Sequence, residues 1–383
     1  MNKIRVIHLA SFLGNIGDNA NHQGFYKKFQ KEIPSEITQL EIRKFYKNRG
    51  EMKFDDNFVK MVNSYDLMIL GGGGFFDLKW DDSNTGTTID FSKQLIDSIK
   101  IPVLINGMGY HEYDSISDEN VKKFKEFLKN VIGKGGWLVS VRNDGSYSRL
   151  KNRYGDIVKD ILTVPDHGFY YSPKNYSQFN LENKNKIWIG LNITNELFSK
   201  VFNKEIDTIF FNNQIGQFIN NTLENDLKKN IIFFPHAYQD IVTIAKITCE
   251  IKDKYIRERI AIAPLFSGKV QIEEIFDLYR ICKCVIAMRF HGNVCPIGMN
   301  IPTIGLAGHE QIYGLYKELD IIDRCVIVNH RDFVTELSSV LDRTLKDSNL
   351  VHNLYYDINI LLNKKTDTYM DKIHKFIKRN THE

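Results

Sequence analysis

The 383-residue sequence contains no apolar run close to the ~18 residues that span a membrane as a helix. Its net charge of +4 is too small to argue for a nucleic-acid partner. Cysteine is sparse: Cys249, Cys282, Cys284, Cys295 and Cys325 are odd in number and lie in apolar surroundings. That excludes a disulfide framework and reads as reduced core thiols. Zinc-type spacing is missing, because Cys282-Lys283-Cys284 is not C-x-x-C and His111-Glu112 has no second histidine at H-E-x-x-H distance. No metal is expected. There is no G-x-S-x-G elbow, no G-x-G-x-x-G fingerprint, no internal repeat and no low-complexity block. The apolar segment from Ile4 to Leu9 is short, carries Arg5 and leads into a glycine turn. It reads as a buried strand and not as a signal peptide, so the expected setting is cytoplasmic.

What is present is a recurrent alternation of short apolar runs and helical patterns. The runs are Ile4 to Leu9, Leu67 to Leu70, Val103 to Ile105, Leu138 to Val141 and Ile161 to Val164 in the first half. In the second half they are Ile187 to Leu191, Ile231 to Phe234, Ile260 to Ala263, Cys284 to Ala287 and Thr303 to Leu306. Continuous hydrophobicity implies strands covered on both faces, hence parallel sheets flanked by helices. The polar stretch Ser172 to Lys186 is the best linker. The expected fold is α/β: two Rossmann-like, doubly wound domains facing a cleft, 1–176 and 185–345, with a helical segment 346–383. In that last segment Tyr369, Ile373, Phe376 and Ile377 share one helical face, and Lys372, Lys375, Lys378 and Arg379 the other. Such a helix either packs on a domain or rests on an anionic membrane surface.

The most informative stretch is Met288-Arg289-Phe290-His291-Gly292-Asn293, set between two apolar runs. An arginine and a histidine thus stand where a strand ends and a helix begins, the edge at which open α/β sheets bind ligands. Arginine keeps its charge, whereas histidine exchanges protons near neutrality. The pair suits an anion that must also be protonated. Gly14-Asn15-Ile16-Gly17-Asp18 makes a comparable turn after the first strand, with Asp18 either facing the ligand or capping a helix. Gly71 to Gly74 and Asn106 to Tyr110 are further strand-end turns, and Arg142 ends a strand, where an anion or an Asp partner is expected. In Pro235-His236-Ala237-Tyr238-Gln239-Asp240, His236 is a site residue or a satisfied structural histidine, and Asp240 a site residue or a helix cap.

Taken together, these motifs resemble the polysaccharide pyruvyl transferase family, from near the N-terminus to about Asp323. The resemblance implies the two-domain architecture of GT-B glycosyltransferases. It implies transfer of the pyruvyl carbons of phosphoenolpyruvate onto two hydroxyls of a sugar, with phosphate released and no cofactor. The acceptor it implies is a cell-surface glycan or a lipid-linked oligosaccharide precursor, handled in the cytoplasm or at the inner face of the membrane. Family functional positions fall on Asp18, Arg142, Arg289 and His291, with His291 as acid and Asp18 as base; Asn15, Gly72, Gly73, His236, Asp240, His309 and Gln311 complete the expected substrate contacts. Gln311 stands where the family has a lysine, with His309 or Lys317 as the nearest compensation. Pro296 fits the helix after Arg289 only if that helix starts near Asn293. Acceptor contacts are expected from Phe75 to Thr88 and Tyr110 to Ser117, where Phe75, Phe76, Trp80 and Tyr110 either stack on sugars or pack inside. Two other readings keep the fold. One is a sugar-nucleotide glycosyltransferase using Glu273 or Glu274 on the ribose; the other is a non-catalytic glycan-binding homologue.

Overall fold

The computed structural model describes residues 3–112, 116–173, 185–196, 206–265 and 273–380. Most of the expected linker, 174–184, lies outside them. The chain divides into two compact units. One comprises Met1–Phe12, His22–His167 and Leu362–Glu383; the other comprises Leu13–Asn21 and Gly168–Leu361.

In the first unit six strands form a parallel sheet: β1 (Ile4–Ala10), β2 (Ser35–Glu41), β3 (Leu67–Gly71), β5 (Val103–Met108), β7 (Trp137–Arg142) and β8 (Leu162–Val164). Their spatial order is β2-β1-β3-β5-β7-β8. A two-stranded ribbon pairs β4 (Phe76–Asp77) with β6 (Tyr110–His111). Every residue of β3 and β5 is buried, which is what an apolar run without alternation requires. At one edge β2 exposes Glu36, Gln39 and Leu40 to different degrees, and its polar sequence gave no strand signal. One face of the sheet is closed by Phe25 and Phe29 together with Tyr369, Met370, Ile373 and Ile377 from the end of the helix Ser348–Asn380. The apolar face of that terminal segment therefore packs in a core, while Lys372, Lys375, Lys378 and Arg379 stay exposed. Tyr369 donates to Asn106 Oδ1 at 2.9 Å and lies 2.7 Å from Ser140 Oγ, so its buried hydroxyl is satisfied.

The second unit carries β9 (Ile187–Asn192), β10 (Lys229–Phe233), β11 (Ile260–Ile262), β12 (Cys282–Ala287), β13 (Thr303–Ala307) and β14 (Cys325–Ile327), all parallel. The order is β11-β10-β9-β12-β13-β14. The chain winds outward from β9 to one side, then returns to start again at β12. β9 and β12 thus flank a topological switch point, the place where doubly wound sheets open a crevice at their carboxyl ends.

Helix Phe290–Gly298 follows β12 and corrects one expectation. It begins at Phe290, not near Asn293, and holds Pro296 in its last turn. Every residue from Phe290 to Ile297 is buried. A proline there removes one helical N–H, a cost that burial of about 1.5–3 kcal/mol per large apolar side chain outweighs in so short a segment.

Candidate active site

Asn192, at the end of β9, organises the switch point. Its Oδ1 accepts the Arg289 N–H at 3.0 Å and its Nδ2 donates to the Phe234 carbonyl at 2.7 Å, while the Asn192 carbonyl accepts from Met288 N at 2.8 Å. The ends of β9, β10 and β12 are thereby tied through one amide. A Cβ on Gly292 would stand 2.6 Å from Asn192 Oδ1, so only glycine lets the helix start this close. Asn293 fixes the other side of the turn, its Nδ2 donating to the carbonyls of Ala287 (3.0 Å) and Arg289 (2.9 Å). Its Oδ1 accepts from the Tyr316 hydroxyl at 2.9 Å.

The Arg289 guanidinium lies largely buried against two carboxylates. Nε and Nη2 donate to Asp240 Oδ2 and Oδ1, each at 2.7 Å, a bidentate fork. Nη2 also donates to Glu196 Oε2 at 2.6 Å. Asp240 is fully buried and accepts the backbone N–H groups of His236 (2.8 Å) and Ala237 (3.1 Å), capping the helix Tyr238–Thr248. Burial would raise its carboxyl, but the Arg289 charge and these donors outweigh burial and hold it below the usual range. The sequence left Asp240 as cap or site residue; the fold shows it capping the helix and holding Arg289 with the same carboxylate.

His291, two residues on, is buried with Nδ1 3.7 Å from Asp18 Oδ1, within ion-pair range but beyond a hydrogen bond. Asp18 sits in the first turn of the helix Ile16–Glu32. The capping role belongs to Asn15, whose Oδ1 accepts from Gly17 N at 2.9 Å, which leaves the Asp18 carboxylate turned to His291. Ile16 N donates to the His236 carbonyl at 3.2 Å and joins this turn to the β10 loop. Gly17 is the second position where only glycine fits: its Cβ would lie 2.6 Å from His291 Cβ.

His236 itself is fully buried. Its Nε2 is 2.8 Å from the Tyr279 hydroxyl, and its Nδ1 has no hydrogen-bond partner. Burial pushes its pKa down to about 3, so the ring is neutral. One ring nitrogen is thus held by Tyr279 while the other is left without a partner among the described residues. At the neighbouring end of β13, His309 caps the helix Glu310–Glu318, with Nδ1 accepting from Gln311 N at 3.3 Å. His309 lines a cleft of about 260 Å3 with Gly308, Glu310, Tyr313, Ile327 and Asn329, while Gln311 is itself buried.

The remaining sequence candidates lie in the first unit. Arg142 is buried, its Nε donating to Asp144 Oδ2 at 2.7 Å, with Asp166 Oδ2 3.9 Å from Nη1 and His111 Nε2 3.4 Å from Nη2. The Asp partner foreseen for it is thus Asp144. Gly72 N donates to the Asn106 carbonyl at 3.0 Å and the Gly73 carbonyl accepts from Gly109 N at 3.0 Å, so this glycine run serves a close backbone crossing. Phe75, Phe76 and Tyr110 are core residues, and Trp80 is half-buried beside Tyr46. The side chains of Glu273 and Glu274 lie outside the described residues. Sequence reasoning missed Asn192, Glu196, Asn293 and Tyr279. A polar residue closing the apolar run of β9 was a usable signal for Asn192, whereas Glu196 carried none.

Among the described residues no three His, Cys, Asp or Glu side chains stand close enough to hold a metal ion. No helix among them is long and apolar enough to cross a membrane. The family model described as polysaccharide pyruvyl transferase matches residues 11–310. No curated protein matches the chain significantly. The UDP-GlcNAc 2-epimerase of Neisseria meningitidis, bound to UDP-GlcNAc, superposes with a TM-score of 0.57 at 11% identity, covering 96% of this chain and 100% of its own. S. aureus MnaA, in a co-structure with UDP, gives 0.55 at 10%, with 93% and 91% covered. Anabaena HepE, in complex with UDP and glucose, gives 0.51 at 10%, with 98% and 100% covered. At such identities the likeness is one of fold, and that fold is GT-B.

Proposed function

The chain belongs to the polysaccharide pyruvyl transferase family, a family of transferases, and from that premise we propose that it moves the pyruvyl group of phosphoenolpyruvate onto two hydroxyls of one sugar. The single observation that carries this reading is the grouping of Arg289, His291 and Asp18 around the switch point of the second sheet. A guanidinium offers bidentate bonds to the phosphate or carboxylate of the donor. In the proposed sequence His291 gives a proton to the methylene carbon, which becomes the ketal methyl. The cation that develops at the adjacent carbon is attacked by the first sugar hydroxyl, whose proton passes to Asp18 and on to His291. The bond from that carbon to the phosphate oxygen then breaks, the second hydroxyl closes the ketal, and its proton leaves with phosphate. No cofactor enters this balance.

The acceptor in this reading is a surface glycan or its lipid-linked precursor, met in the cytoplasm. The exposed Lys372, Lys375, Lys378 and Arg379 on the last helix are suited to an anionic membrane face. The absence of the family lysine at Gln311 leaves His309, at the rim of its cleft, as the nearest substitute.

The test is phosphate release from phosphoenolpyruvate with a panel of glycosyl acceptors. Acceptor-dependent release is expected, lost in His291→Ala and reduced about 100-fold or more in Asp18→Asn. No release with any acceptor, together with tight binding of a nucleotide sugar, would replace this reading by glycosyl transfer.

A further inference from the structure

Asp240 and Glu196 both bind Arg289, yet they are different kinds of partner. Asp240 is fully buried, holds the Nε–Nη2 edge of the guanidinium at two points, and is fixed by two backbone N–H groups and by its place in the helix Tyr238–Thr248. Glu196 sits in the loop after β9 with its side chain 42% exposed, and touches Arg289 through one oxygen on Nη2. Nη1, the other end of that second edge, makes no hydrogen bond to a described residue. The Nη1–Nη2 edge is therefore half used, by an oxyanion that is itself partly in solvent.

The charges point the same way. Arg289 with Asp240 sums to zero, and adding Glu196 makes the group net negative, which repels an incoming anion. Exposed single-point ion pairs are weak, whereas a bidentate charge-assisted fork to a carboxylate or phosphate is strong. An oxyanion able to span both nitrogens outcompetes a carboxylate that spans one.

We propose that Glu196 is an exchangeable stand-in for the substrate's anionic group: its carboxylate occupies the oxyanion position on the Nη1–Nη2 edge of Arg289 and leaves when a ligand oxyanion takes both nitrogens. The carboxylate screens the guanidinium in the empty site and sets the threshold for donor binding. Asp240 keeps the arginine in place throughout. This rests on the reading of Arg289 as an anion-binding residue, and the experiment separates the two.

Inorganic phosphate is the probe, titrated calorimetrically into the full-length protein and its Glu196→Gln, Glu196→Ala and Arg289→Ala variants at low ionic strength. Removing the competing charge is expected to tighten phosphate binding about threefold to tenfold in both Glu196 variants, and Arg289→Ala to abolish it. With phosphoenolpyruvate as donor, Glu196→Gln should lower KM by a similar factor without raising kcat, a split that a merely structural loop contact would not produce. Unchanged or weaker phosphate binding in both Glu196 variants, with Arg289→Ala still abolishing it, overturns the role of Glu196 alone. Phosphate binding that survives Arg289→Ala overturns the anion-site reading as well.

Discussion

Gly17 has no side chain, and the His291 ring packs into the space one would fill. An alanine there would bring Cβ to 2.6 Å from His291 Cβ, so the two turns would have to move apart and carry His291 away from Asp18. Gly17→Ala is accordingly expected to lower kcat by about 100-fold or more while leaving the folded fraction, read by circular dichroism, near wild type. A variant of wild-type rate would show that the His291 orientation is irrelevant to turnover. Arg289 and His291 were legible from their position between two apolar runs, because a charged residue at the carboxyl end of a buried strand has few structural uses. The fork to Asp240 was not legible, since it joins residues 49 positions apart and depends on how two loops fold over the sheet edge.

The helix Tyr238–Thr248 shows how an element serves a site it does not itself form. Its third residue, Asp240, caps the helix and grips Arg289 with the same carboxylate. Asp240→Asn removes the buried one of the two carboxylates that compensate the guanidinium and leaves only the half-exposed Glu196. A stability loss of about 3–5 kcal/mol is expected in denaturant titration. The double variant Asp240→Asn, Arg289→Met should lose less than the sum of its singles, because no uncompensated charge remains. Strict additivity would mean that the pair does not interact. Elements with continuous apolar runs were readable from sequence, and all ten such runs became strands of the two sheets. Strand β2 escaped because an edge strand needs no apolar face on both sides; β14, at the edge of the other sheet, escaped although it is as long as β8 and β11, which were read. Pro296 misled for the opposite reason: burial of the whole helix overrides a local preference.

Among the described residues, His8 and His167 in the first unit and His236 in the second are fully buried and have their pKa pushed down. Burial lowers His8, with the neighbouring His22 adding to it; it takes His167 down to about 4 and His236 to about 3. In the unfolded chain each titrates near 6.5. Below that pH the unfolded state binds protons that the folded state does not, so stability is complete above pH 6.5 and falls on acidification toward the folded values. Each histidine contributes about 1 kcal/mol per pH unit in that window. Urea unfolding at pH 7, 6 and 5 should show midpoints falling steadily, and a flat profile would mean that these rings are charged in the fold.

By itself the sequence determined the class of fold, the strand ends at which the candidate site residues stand, and the residue types found there. Those follow from local physics: apolar runs must be buried on both faces, and glycine turns and charged residues collect where such runs stop. Only the tertiary structure decided the partners: Asn15 and not Asp18 as the helix cap, Asp240 and Glu196 on one guanidinium, Asp144 on Arg142. An ion pair is set by distance in space, and local sequence pattern carries no record of which distant residue the folded chain brings within 3 Å.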